Sequence, residues 1–207
     1  MPNARDYLEL GLGLHGHKCP AMPLGLRAAE TAMNKLGVER TGAKELLALL
    51  ELGEDHCAHC YADGVQVLTG CTFGKSNIRQ LGYGKFGLTL VDRKTGRSVR
   101  VVPKAEVQLQ SQKSDFFQNY RMKGVPPTDV PDAVVQPLID KVMAAPATIS
   151  GVRPDVRASS VFCCTSYERS QSRNWPTLRS ATGANAASSW PSRINRVTSS
   201  VSYGLSC

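Results

Sequence analysis

Apolar positions along this chain follow helical turns in some stretches and strand alternation in others. Over residues 20–36 they recur near helical spacing, at Leu24, Ala28, Met33 and Leu36, which predicts a helix. Pro20 and Pro23 fit only its first turn, and Gly37 supplies the stop. Residues 43–52 are predicted as a second helix, with Thr41 as cap, Leu46, Leu47, Leu49 and Leu50 as its apolar stripe and Gly53 as its end. Ahead of both, residues 6–12 read as a short apolar turn. Residues 54–60 are polar and short. Residues 63–69 fit a helix or a buried strand, and Gly70 and Gly74 mark a loop around Cys71.

The rhythm then changes. Residues 86–91 and 98–102 alternate or run β-branched, and Asp92-Arg93-Lys94-Thr95-Gly96 between them is a hairpin signal. Residues 114–123 and 131–145 read as closing helices. Helices first, hairpins in the middle and helices last predict an α+β domain over residues 1–150, with a central antiparallel or mixed sheet.

Residues 151–207 form a linker and a tail of different character. Seventeen of the 49 residues from 159 onward are Ser or Thr, and no periodicity lasts more than one turn. Such a segment buries too little apolar surface to offset its ordering entropy, so it is expected to be disordered. Frequent Arg, Ser and Ala without Lys suggest a GC-rich reading frame not selected for folding. Sequencing the gene tests this, and an intact longer frame ending in the same residues would refute it.

Charge adds little. The chain of 207 residues carries a net charge of +8, but residues 1–158 hold 20 Lys and Arg against 16 Asp and Glu. That mild excess does not mark a nucleic-acid surface, and five Arg in the Ser-rich tail read as solvated coil. No run approaches the roughly 18 apolar residues of a membrane span. The first residues lack the apolar stretch of a signal peptide, so a cytoplasmic location is expected.

The chemistry is concentrated. All four histidines and four of the seven cysteines lie between residues 15 and 71: His15, His17, Cys19, His56, Cys57, His59, Cys60 and Cys71. Sulfur and imidazole donors together suit zinc, or another divalent transition metal. In His15-Gly16-His17-Lys18-Cys19-Pro20, Gly16 lets the backbone bend so that neighbouring donors can converge. Cys19 sits just before a helix, where backbone N–H groups favour a thiolate. Cys57-Ala58-His59-Cys60 has the spacing of zinc ribbons and of redox dithiols, but no second cysteine pair completes a ribbon. A third segment, Thr69 to Lys75, brackets Cys71 with two glycines. Its Lys75 could lower the thiol pKa or bind an anion, although a tight turn around a buried cysteine explains the same residues.

These segments resemble the FmdE family, named for one of the components of formylmethanofuran dehydrogenase. His15-Gly16-His17-x-Cys19-Pro20, with Gly25 and Arg27, is similar to the family's opening signature. Cys60-Tyr61-Ala62-Asp63-Gly64-Val65-Gln66 and Leu68 to Asn77 resemble its second, and Tyr83-Gly84-Lys85 is also similar. The resemblance covers residues 10 to 145. It implies an α+β core, a homodimer and a metal site on His17, Cys19, Cys60 and Cys71, often zinc, with His15, Asp63 and Lys75 around it. His56, Cys57 and His59 lie outside the pattern. Longer members carry a C-terminal zinc ribbon, which the stretch from Val161 to Glu168 resembles at its start. Tyr167 stands where the ribbon's second Cys belongs, so the tail reads as a degenerate remnant.

The resemblance implies a metal-binding accessory protein related to molybdenum or tungsten oxidoreductases, acting within a larger complex. A small metalloenzyme with an open coordination position is the alternative, with Asp63 or His15 as proton carrier and Lys75 as anion anchor. A dithiol redox protein using Cys57 and Cys60 is the second.

Overall fold

The helix expected over residues 20–36 forms as α2, Ala21–Leu36. Pro20 precedes it, and Gly37 adopts the left-handed conformation that closes it (φ 70°). Gly37 and Val38 both donate to the Met33 carbonyl, satisfying the helix end. The computed structural model describes residues 1–54, 56–145 and 149–154. The degenerate ribbon and the Ser-rich tail lie outside the described residues.

The remaining helices are α1 (Leu8–His15), α3 (His56–Thr69), α4 (Ala105–Gln112) and α5 (Asp132–Ala144), with a π-helical segment at Phe116–Arg121 between the last two. The apolar turn expected near residues 6–12 is thus a 3₁₀ turn, Ala4–Tyr7, leading into a true helix, α1. The undecided stretch over residues 63–69 is the second half of α3. Ala58, Tyr61, Ala62, Val65, Leu68 and Thr69 are buried there at helical spacing.

Five strands form one mixed sheet in the order β2-β1-β3-β4-β5: β1 Leu46–Leu50, β2 Ile78–Gln80, β3 Leu88–Asp92, β4 Ser98–Pro103 and β5 Ile149–Pro154. The helix predicted over residues 43–52 is therefore a strand. A short leucine run carries no period of its own, and the choice falls to packing. Leu46, Ala48 and Leu50 are buried while Leu47 and Leu49 are half-buried, which is strand alternation. Thr41 still accepts a backbone N–H from Ala43, but in a turn rather than a helix cap. β5 crosses the boundary drawn at residue 150 and pairs antiparallel with β4.

The hairpin forms where its signal lay. Asp92 Oδ1 accepts from the Lys94 amide, its Oδ2 accepts from the Thr95 hydroxyl at 2.6 Å, and Gly96 takes a positive φ. Registers Ala48–Leu90–Val99 and Leu50–Leu88–Val101 lay two apolar rows across the sheet, all buried. α2 packs against β3 and β4 and, most extensively, against α3. β1 and β2 are parallel, so the chain must cross over between them, and α3 is that crossover. No helix among the described residues is long and apolar enough to cross a membrane.

Candidate metal centre

Two glycines set the position of the site. A Cβ on Gly25 of α2 would lie 2.1 Å from the Tyr61 carbonyl oxygen, and one on Gly64 of α3 would lie 2.1 Å from the Met22 carbonyl oxygen. Only glycine at both places lets the two backbones touch. That contact holds the start of α2 against the first turns of α3, and so Cys19 against Cys60. Gly16 does the third piece of positioning. Residues two apart do not face each other on a helix. Gly16 ends α1 in the left-handed conformation (φ 79°) and turns the chain back, so the His15 and His17 rings lie against each other, tilted by 41°, with centroids 4.1 Å apart.

The result is four donors, His15, His17, Cys19 and Cys60, whose ligating atoms all lie within 4.8 Å of one another. Cys19 and Cys60 are buried. A small cavity of ≈ 20 Å³ lies among His17, Cys19, Cys57 and Cys60. That is room for a single ion or water and not for a side chain. Two imidazoles and two thiols this close together, with His17, Cys19 and Cys60 facing such a space, match the four-coordinate donor set of zinc. The residues present fit a metal ion.

The electrostatics are those of a site ready to exchange protons for a metal. His15 Nδ1 donates to Asp63 Oδ2 at 2.8 Å, and its Nε2 donates to Cys19 Sγ at 3.4 Å. Both nitrogens can donate only in the imidazolium form. These bonds, Asp63 first, raise the His15 pKa to about 9 against the opposing effect of burial. The Cys60 thiol donates to Cys19, and with His15 and the Met22 backbone it holds the Cys19 thiol down at about 4. The same bond, with burial, pushes Cys60 far above its ordinary value. The pair thus holds one thiolate, on Cys19, and one proton, on Cys60. A metal binding here would displace the His15 and Cys60 protons. Asp63 would then hold the far nitrogen of a ligating imidazole, the usual carboxylate–histidine arrangement behind a metal.

Of the residues singled out in the sequence, His17, Cys19 and Cys60 meet, and His15 joins them as a donor. Asp63 stands directly behind His15. Cys71 lies elsewhere. Its thiol is fully buried and pushed up by that burial, close to Thr69 and the Ala48 backbone, and it is not part of the four-donor group. Lys75 reaches the Gly42 carbonyl at 3.4 Å, also away from the group. Cys57 lines the small cavity at the first turn of α3, while His59 is exposed. Three polar roles are not legible in the sequence. Asn77 is fully buried, accepts from the Thr72 amide and donates to the Leu46 carbonyl, tying the Cys71 loop to β1. Arg100 forks onto the buried Glu51 carboxylate, with Nη2 at 2.6 Å from Oε2. Gly87 makes room for that carboxylate, since a Cβ there would lie 2.8 Å from it.

The family described as "FmdE, Molybdenum formylmethanofuran dehydrogenase operon" matches residues 14–150. The chain belongs to the FmdE family. A probable S-adenosyl-L-methionine-binding protein of Archaeoglobus fulgidus is 45% identical over 96 residues, which cover 44% of this chain and 25% of that protein. The chain therefore spans a quarter of the length of that curated relative. The crystal structure of a tungsten formylmethanofuran dehydrogenase FmdE-like protein from Syntrophus aciditrophicus superposes with a TM-score of 0.50 at 22% identity, over 75% of this chain and 76% of that one. That likeness carries the FmdE fold. Every donor of the site lies within the FmdE match, His15 at its very start.

Proposed function

We propose that this FmdE protein is a metal-binding accessory protein holding one zinc ion on His15, His17, Cys19 and Cys60. It serves a molybdenum- or tungsten-dependent oxidoreductase of the kind for which the family is named. The observation that carries this reading is the convergence of two imidazoles and two thiols within 4.8 Å, three of the four donors lining a cavity of ion size. Four protein donors fill a tetrahedral zinc ion, which favours a stabilising or assembly role over turnover. A cytoplasmic homodimer docking on a larger enzyme is part of the same proposal.

The test is elemental mass spectrometry on the full chain purified without chelator or affinity metal. Near-stoichiometric zinc, lost in Cys19→Ala, is the expected result. Stoichiometric metal persisting after Cys19 and Cys60 are both changed to Ala would refute the ligand set.

One observation favours a second reading, a small metalloenzyme. The small cavity shares Pro20, Ala21, Cys57, Phe116 and Arg121 with a much larger one, so a fourth position on the metal would be reachable from outside. X-ray absorption separates the two. Four nitrogen and sulfur neighbours support the accessory role, and three plus a light oxygen neighbour support catalysis.

A further inference from the structure

The larger cavity has a volume of ≈ 790 Å³ and runs from the donor edge past the start of α2, along α4 and the π-helical segment, to α5. That volume lies in the range of small-molecule sites. Its walls are largely apolar, with Leu24, Phe86, Phe117 and Leu138 among them. Among the described residues, the charged ones lining it are Arg121 and Lys141, and no Asp or Glu lines it. Among the described residues neither cation forms an ion pair. Arg121 is half-buried, lines both cavities and ends the π-helical segment. Such segments are rare and recur at functional sites.

We propose that this groove binds an anionic small molecule with an apolar body, a carboxylate or phosphate ester whose charged end sits on Arg121 beside the metal donors. The inference rests on the proposed metal site only for what lies next to the anion; the groove's own charge and shape stand apart from it. A half-buried guanidinium facing a cavity with no carboxylate among its described lining residues is a ready bidentate partner for a carboxylate or phosphate. Lys141, exposed at the rim, adds long-range attraction rather than geometry. The same charges disfavour a cation. Octylamine, a plain ammonium on an apolar chain, would meet two like charges and no counter-charge among the described lining residues.

Isothermal titration of the full chain with octanoate, octyl phosphate and octylamine tests this. Both anions should bind, octylamine should not, and binding should weaken as salt rises. Arg121→Gln should weaken both anions about tenfold, the worth of one charge-assisted contact, and Arg121→Lys should recover part of the loss. Lys141→Gln should cost less. Zinc content should stay unchanged in the Arg121 variants, and Cys19→Ala should lose zinc yet still bind octanoate. Failure of the metal reading and failure of the groove reading are therefore separate results. Octylamine binding as well as octanoate, Arg121→Gln binding like wild type, or no heat from either anion would overturn the proposal. In the last case sedimentation would show whether a second copy fills the groove instead.

Discussion

Two buried cysteine environments in this protein began as the same kind of sequence signal. Cys19 and Cys60 stand beside histidines, and Cys71 stands between two glycines with a lysine nearby. In the fold, Cys60 donates to Cys19, His15 and the Met22 backbone add their bonds, and the Cys19 thiol is held at about 4. Cys71, equally buried, has no imidazole partner among the causes of its shift, and desolvation drives its pKa up. Burial disfavours a thiolate in both places, and what reverses the balance at Cys19 is a set of donors from α1 and α3. A cysteine's chemistry is therefore set by which elements meet around it. Here that meeting depends on the Gly25–Gly64 helix contact.

The harshest challenge to this contrast is Gly64→Ala. Its Cβ would press on backbone from Met22 and Leu26, at 2.1 and 2.7 Å, which cannot step aside. A loss of about 3 kcal/mol in urea unfolding is expected, together with loss of zinc. Gly13→Ala, where a Cβ meets nothing within 4 Å, is the control and should cost nothing. Equal effects of the two would remove the helix contact from the argument.

Asp63→Asn keeps the shape behind His15 and removes the charge. Zinc affinity should fall about 10- to 100-fold, read by competition with a chromophoric chelator. An unchanged affinity would mean that His15 is not a ligand through the nitrogen facing Cys19.

Away from both cysteine environments, Glu51→Gln provides a reference, an ion pair with no metal role. The Arg100 guanidinium, the first cause, holds the Glu51 pKa below its ordinary value against the opposing effect of burial. A depressed carboxylate contributes stability that is present above its unfolded pKa and lost as pH falls through its folded one. The wild type should thus lose stability on acidification below about pH 4.5. The variant should be weaker by about 1–2 kcal/mol at neutral pH and show a shallower acid limb. Parallel pH profiles for the two proteins would count against the pairing.

The smallest effect is expected at Cys71→Ala, about 1 kcal/mol of stability with zinc content intact. Loss of zinc in that variant would restore Cys71 to the ligand set and dissolve the contrast.

Much of this molecule is legible along the chain. The limits of α2 follow from Pro20 and Gly37, and the β3–β4 hairpin from Asp92 to Gly96, because caps and turns are decided by a few adjacent residues. The crowding of His and Cys before residue 72 marks the metal chemistry. All four donors that meet stand in the segments that carry the family resemblance, and three of them, His17, Cys19 and Cys60, belong to the ligand set it implies. Other features needed the whole fold. Residues 46–50 are a strand because Leu-Leu-Ala-Leu-Leu has no period and takes the alternation imposed by β2 and β3 on either side. Folding also places Asp63 behind His15, 48 residues away, and Arg100 on Glu51, 49 residues away, and it leaves Cys71 outside the donor group. Spacing along a chain constrains only neighbours within a turn or a hairpin. Which distant side chains converge depends on helix backbones close enough to touch, and here two glycines make that approach possible.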